Sequence, residues 1–181
     1  MADEALRLPG DPAPDAASML RVDQAGEYGA MRIYAGQLAV MGGRHPDAAV
    51  IERMREGERR HLATFDRMIA ERRVRPTLLQ PLWHVGGFAL GAATALLGPK
   101  AAMACTAAVE TEIDRHYSQQ LDALGDSDPE LSAHIRDFQA DEVEHRDTAI
   151  EHRAEEAPAY PMLSLAIRGL CRAAIKVSEK I

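Results

Sequence analysis

Glu58-Arg59-Arg60-His61 and Glu142-Val143-Glu144-His145 decide how this sequence is read, together with the lone glutamates Glu27 and Glu110 that precede them. In each half of the chain a single Glu stands 31 or 32 residues before the Glu of a Glu-x-x-His pair. That spacing fits a helical hairpin, out along one helix and back along the next. Two hairpins predict an all-α fold, a four-helix bundle that can point four carboxylates and two imidazoles at one another. This is the ligand set of a carboxylate-bridged two-metal site.

Spacing alone is weak support. Fifteen Glu and seven His in a chain of this length give roughly 0.6 such pairs by chance. Position along the helices says more. Glu58 shares its stripe with Ile51, Met54, His61, Leu62 and Phe65, and Glu142 with Ile135, Phe138, His145 and Ala149. Glu110 sits among Met103, Ala107, Ile113 and Tyr117, and Glu27 among Leu20, Met31, Tyr34 and Leu38. All four interrupt apolar stripes, where a helix puts its core. A carboxylate there is costly unless it is paired or ligates a metal. The alternative is four glutamates at stripe edges, each paired with an arginine. Where two acidic residues compete, stripe position favours Glu110 over Glu112, Glu58 over Glu56 and Glu142 over Glu144.

Around this frame the chain reads as helices from about Asp15 to Val40, Pro46 to Arg73, Pro99 to Leu124, Pro129 to Glu156 and Met162 to Lys180. Residues 1–15, polar and Pro-rich, read as a disordered tail, and 16–181 as one domain. Between Pro76 and Pro99 there is no Asp, Glu, Lys or Arg. Its densest part, Leu82 to Leu97, is shorter than the ~20 residues of a spanning helix. It is either a buried crossover helix or an element that dips into lipid or lines an apolar tunnel, with Trp83, Phe88 and Leu90 as contacts. The last helix carries Arg168, Arg172 and Lys176 beside a broad apolar surface. That pattern suits an anionic membrane surface, or a terminal helix with its basic edge in water. A net charge of −7 argues against nucleic acid as partner. Cys105 and Cys171 read as reduced core thiols. Asp23, one turn before Glu27, is placed to take a hydrogen bond from a metal-bound His or to pair with a surface Arg. No Gly-x-Gly-x-x-Gly opens a nucleotide fold.

Six stretches are similar to one known family. They are Arg-Val-Asp-Gln-Ala-Gly-Glu-Tyr-Gly-Ala (21–30), Ile-Tyr-Ala-Gly-Gln (33–37), His-Leu-Ala-Thr-Phe (61–65), Arg-Pro-Thr through Pro-Leu-Trp (75–83), the Gly-Phe-Ala-Leu-Gly run (87–98) and Glu-Val-Glu-His (142–145). The chain resembles the demethoxyubiquinone hydroxylases, ferritin-like di-iron monooxygenases of ubiquinone biosynthesis. The resemblance implies Glu27, Glu58, His61, Glu110, Glu142 and His145 as ligands of two Fe2+ ions, with Glu58, Glu110 and Glu142 as candidate bridges. It implies O2-dependent hydroxylation of a polyprenyl methoxy-methyl-benzoquinol, with NADH or another reductant as electron source. It assigns His116 and Tyr117 to an electron or proton relay near the centre. It implies peripheral attachment to a membrane, the inner (cell) membrane on its cytoplasmic face if bacterial. A lipid-binding accessory protein of the pathway is the expected partner, and self-association is open.

Overall fold

The computed structural model describes residues 15–43 and 45–180, and these form six helices with no strand among them. They are α1 (Ala16–Met41), α2 (Ala48–Arg72), α3 (Gln80–Leu96), α4 (Pro99–Leu124), α5 (Pro129–Glu151) and α6 (Tyr160–Ser178), with a 3-10 turn at Ala154–Glu156. The expected tail lies outside the described residues except for Asp15, whose carboxylate accepts from the Ser18 N–H at 3.0 Å and caps α1. Asp128 caps α5 in the same way, at 3.1 Å from the Leu131 N–H, with Pro129 in the first turn, where its missing N–H costs nothing.

Helices α1, α2, α4 and α5 make the bundle. Bonds from Gln37 to Ala102 and from Gln120 to Asp23 show that α1 and α4 run antiparallel. Arg72 on Asp128 and His152 on Asp47 show the same for α2 and α5. So α2 and α4 point the same way, and the chain must travel back along the bundle between them. α3 makes that journey, lying along α1 and touching α4. The fold is ferritin-like, two hairpins joined by a long crossover.

Glycines allow α3 to sit so close. A Cβ on Gly91 would collide with the Ile33 carbonyl, and one on Gly36 with the Phe88 carbonyl. On Gly87 it would stand 2.9 Å from the Gly29 carbonyl oxygen. α3 therefore turns Phe88 and Leu90 inward. The Arg32 guanidinium lies 5.2 Å from the centre of the Phe88 ring, and Leu90 packs on the Ile33–Val109 cluster. Trp83 is half-buried. The side chains that face out are Leu78, Leu82, Val85, Leu96 and Leu97, each more than half exposed. Trp83, Phe88 and Leu90, expected as lipid or tunnel contacts, are all partly buried, and Phe88 and Leu90 lie on the side that small residues draw against α1. No helix among the described residues is long and apolar enough to cross a membrane.

The fifth helix ends at Glu151, short of the expected Glu156. Arg153 adopts φ 68°, and the turn that follows seats Ala154 and Ala157 in the core beside Ala104 and Met54. Helix α6 rests on α4 and α1. Its Arg168 and Arg172 reach the buried carboxylate of Glu112 at 2.6 and 3.4 Å. Both are expected at an anionic membrane surface or in water; the ion pairs turn them toward the bundle, and Lys176 alone of the three stays exposed.

Candidate metal centre

Two apolar clusters leave a polar layer between them. Tyr34, Ile51, Met54, Met103 and Ala104 fill one end of the bundle. Leu20, Phe65, Met68, Leu131, Ile135 and Phe138 fill the other. In between, Glu27, Glu58, Glu110 and Glu142 are at most 1% exposed, and His61 is fully buried. Each bundle helix supplies one carboxylate, and α2 and α5 add an imidazole one turn further on, as the Glu-x-x-His spacing requires.

The structure brings the six side chains into two overlapping groups. Glu27, Glu58, His61 and Glu142 form one, and Glu58, Glu110, Glu142 and His145 the other, with candidate ligand atoms within 4.8 Å of each other in each. His61 Nδ1 lies 3.1 Å from Glu142 Oε1, 3.3 Å from Glu58 Oε2 and 3.5 Å from Glu27 Oε2. His145 Nδ1 lies 3.0 Å from Glu58 Oε1 and 3.6 Å from Glu142 Oε2. Glu58 and Glu142 therefore turn one oxygen to each group.

The end carboxylates are braced crosswise. Tyr34 of α1 donates to Glu110 Oε1 at 2.7 Å, and Tyr117 of α4 donates to Glu27 Oε1. Each tyrosine stands two turns after the glutamate of its own helix and holds that of the other. Glu110, a candidate bridge by resemblance, joins one group only, and its Oε1 accepts from Tyr34. Eight atoms of the cluster are buried without a hydrogen bond: Glu27 Oε2, Glu110 Oε2, both oxygens of Glu58 and of Glu142, and the Nδ1 atoms of His61 and His145. Buried polar atoms are normally satisfied, and leaving one unmet costs about 1–3 kcal/mol. Eight such atoms facing one another, four to each group, fit a pair of cations.

Electrostatics agree. Burial, then the neighbouring glutamates, raises the pKa of Glu58 and of Glu110. Burial alone would lower those of the two histidines, but the carboxylates outweigh it. His145 is pushed up to about 10, and His61 is raised further. Without metal the cluster gathers protons, the positive charge that cations would replace.

Support comes from outside the cluster. Asp141 Oδ2 lies 2.9 Å from His61 Nε2, and Arg60 holds that carboxylate. His61 also stacks on Phe138, with ring centres 4.1 Å apart. Gly57 leaves room for the other imidazole, since a Cβ there would stand 3.2 Å from His145 Nε2. Asp23, a candidate for the role that Asp141 fills, instead accepts from Gln120 at 2.8 Å and lies 3.6 Å from His116 Nε2. Tyr117 touches the cluster; His116 stands behind it, lining a solvent-facing pocket with Ser18, Val22 and Gln120. His152 pairs with Asp47, away from the cluster. The sequence reading passes over Asp141 and over Tyr34 as a brace. Tyr34 carried a visible signal, the same two-turn spacing from Glu27 that Tyr117 keeps from Glu110. Nothing local distinguishes Asp141 from Asp137.

One narrow slot reaches the cluster from the α3/α6 side. It runs between α1 and α4, lined by Ala30, Ile33, Tyr34, Thr106, Val109 and Glu110, and has no room for a water molecule. Its outer residues Ile33 and Val109 pack with Leu90 of α3 and with Leu163 and Ile167 of α6.

Fold and cluster together define a ferritin-like helical bundle with a carboxylate–histidine centre able to hold metal. The model of the ubiquinone biosynthesis protein COQ7 family matches residues 14–178, and the chain belongs to that family. It is 58% identical over 177 residues to the 3-demethoxyubiquinol 3-hydroxylase of Rhodospirillum rubrum, covering 97% of this chain and 84% of that protein. It is 52% identical to the NADPH-dependent 3-demethoxyubiquinone 3-hydroxylase, mitochondrial, of Mus musculus, over 90% of this chain and 76% of the mouse protein. Identity to the 5-demethoxyubiquinone hydroxylase, mitochondrial, of Saccharomyces cerevisiae is 45%, over 90% and 77% of the two chains.

Proposed function

We propose that this chain is a 3-demethoxyubiquinol 3-hydroxylase that works through two iron ions at the Glu–His centre. The observation that carries the metal reading is the set of eight orphaned ligand atoms, divided four and four. Glu27 Oε2 and His61 Nδ1 would hold one ion, Glu110 Oε2 and His145 Nδ1 the other, with Glu58 and Glu142 spanning both. Four carboxylates balance the charge of two divalent ions, which makes a buried pair tolerable. Carboxylate with imidazole suits iron or manganese. When bound, a ferrous pair activates O2, so that one oxygen atom enters the ring C–H bond and the other leaves as water, with two electrons and two protons from a reductant such as a reduced nicotinamide.

The protein's part is to admit the ring and exclude water. The slot between α1 and α4 is the route we assign to the ring, since it lies between the Ile33–Val109 cluster under α3 and α6 and the Glu110 carboxylate. Its walls are apolar up to Tyr34 and Glu110. On its outer face α3 carries Leu82, Val85 and Leu96, and α6 carries Met162, Leu165 and Leu170, each more than half exposed. Such surface is costly in water and suits lipid, where a polyprenyl tail resides. The enzyme would rest on the membrane by these two helices and draw the ring inward.

The test is anaerobic loading with Fe(II), then a short-tailed demethoxyquinol, reductant and 18O2. One labelled oxygen on the ring per turnover is the expected result. Oxidised iron mineral without ring product would make the chain an iron-storage bundle instead.

A further inference from the structure

The slot as it stands is too thin for a water molecule, and therefore for a ring. Something lining it must move before the ring can pass. Ala30 has no rotamers, and Ile33 and Val109 are β-branched and stiff in a helix. Thr106 Oγ1 accepts from Gln37 at 3.4 Å. Glu110 belongs to the centre itself. Tyr34 is the one large side chain in the slot outside the four carboxylates, so the movement falls to it, and its hydroxyl is bonded to Glu110 at 2.7 Å. It is 1% exposed, so a displaced hydroxyl finds no water and needs another acceptor. A quinol or quinone ring brings one, since its oxygens accept hydrogen bonds.

We propose that Tyr34 passes its hydrogen bond from Glu110 Oε1 to an oxygen of the incoming ring, so that arrival of the ring and release of the second Glu110 oxygen are one event. This rests on the slot being the route of entry. Glu110 then gains a free oxygen beside the ion it holds only when a ring is present. Tyr34 is a positioning residue for both partners: it holds the carboxylate in a one-oxygen mode in the empty protein and orients the ring in the filled one. The crosswise counterpart does not share this role. Tyr117 makes the same kind of bond to Glu27 but does not line the slot.

Cobalt(II)-loaded protein reads the carboxylate mode directly through its visible spectrum, without turnover. Wild-type protein titrated anaerobically with a short-tailed demethoxyubiquinone is expected to show a spectral shift as the ring binds. Tyr34→Phe should show that shifted spectrum before any ring is added and no further change afterwards. Its ring affinity should fall about tenfold, roughly the loss of one buried hydrogen bond. Tyr117→Phe should still respond to the ring. A Tyr34→Phe protein with the wild-type spectrum and the wild-type response overturns the hand-off. Val109→Phe, which plugs the slot, separates the two claims. It should keep its cobalt and lose the response; an unchanged response would show that the ring enters elsewhere, and the hand-off would fall with the route. Should Tyr34→Phe not fold, 19F NMR of wild-type protein bearing 3-fluorotyrosine at its four tyrosines replaces it. One resonance, present in Tyr117→Phe as well, should move as the ring binds, and none moving would overturn the proposal.

Discussion

Arg168 of α6 and Glu112 of α4 meet at 2.6 Å, and the carboxylate they share is fully buried. Arg115 and Arg172 reach the same group at 3.0 and 3.4 Å. Burial would raise the Glu112 pKa, but the three guanidinium groups outweigh it and hold it below the usual range. Removing a partner from such a group leaves buried charge, which costs more than losing a surface pair. Arg168→Ala should lower unfolding free energy by about 1–2 kcal/mol, and Arg168→Ala with Arg172→Ala by about 3 kcal/mol. Adding Glu112→Gln to the double variant should recover part of the loss, as urea unfolding curves would show.

Glu58 and Glu142 face both metal groups, whereas Glu27 and Glu110 each face one. Glu58→Ala and Glu142→Ala should therefore abolish retention of both ions, while Glu27→Ala and Glu110→Ala should each weaken one. Elemental analysis after anaerobic loading and gel filtration gives the stoichiometries. Two ions retained in Glu58→Ala would remove the bridging assignment.

Asp141 steadies His61 from behind. Asp141→Asn should reduce affinity for one ion about 10–100-fold, the usual cost of losing a carboxylate behind a metal-bound imidazole. Manganese(II) titration followed by calorimetry would show one weakened and one unaffected step.

The metal-free protein should lose stability as pH rises. The His145 pKa is raised in the fold from about 6.5 to about 10, and those of Glu58 and Glu110 are raised as well, so the native state binds more protons than the unfolded chain. The His145 contribution is complete below pH ~6.5 and disappears as pH rises toward ~10. The apo Tm should drop by roughly 3–6 °C for each 1–2 kcal/mol lost. Manganese(II) replaces those protons, so the gap between loaded and empty Tm should widen over the same interval. A constant gap in calorimetric scans from pH 6 to 9 would contradict this.

Charges placed on the outer face of α3 should remove membrane affinity. Leu82→Glu with Val85→Glu is expected to weaken flotation with lipid vesicles severalfold and to leave metal stoichiometry unchanged. Arg168→Ala should weaken it less, since that side chain is already engaged with Glu112.

The hairpins, the crossover and the six inward side chains were legible because helical periodicity carries them: a Glu amid Ile51, Met54 and Phe65 has one direction in which to point. Periodicity fixes faces on one helix but not which face meets which neighbour. That is why the spacing leaves Phe88 and Leu90 open between lipid, a tunnel and the bundle, and Arg168 open between an anionic surface and water, where the structure turns the first two to α1 and sets a buried carboxylate beneath the third. Stripe position places Glu110 rather than Glu112 at the centre, as the structure has it, but does not show that Glu112 is buried too, on another side of α4. Asp141 and the crossed tyrosines depend on pairs far apart in the chain, which no local window contains.

With Gly91 lodged against Ile33 and Gly36 against Phe88, α1 and α3 form a single stiff plank. Any widening of the slot beyond the turn of the Tyr34 side chain then falls to the other side, where α6 leans on the bundle through Ile167 and a knot of charges. The glycines thereby decide which side of the doorway is the hinge post and which is the door.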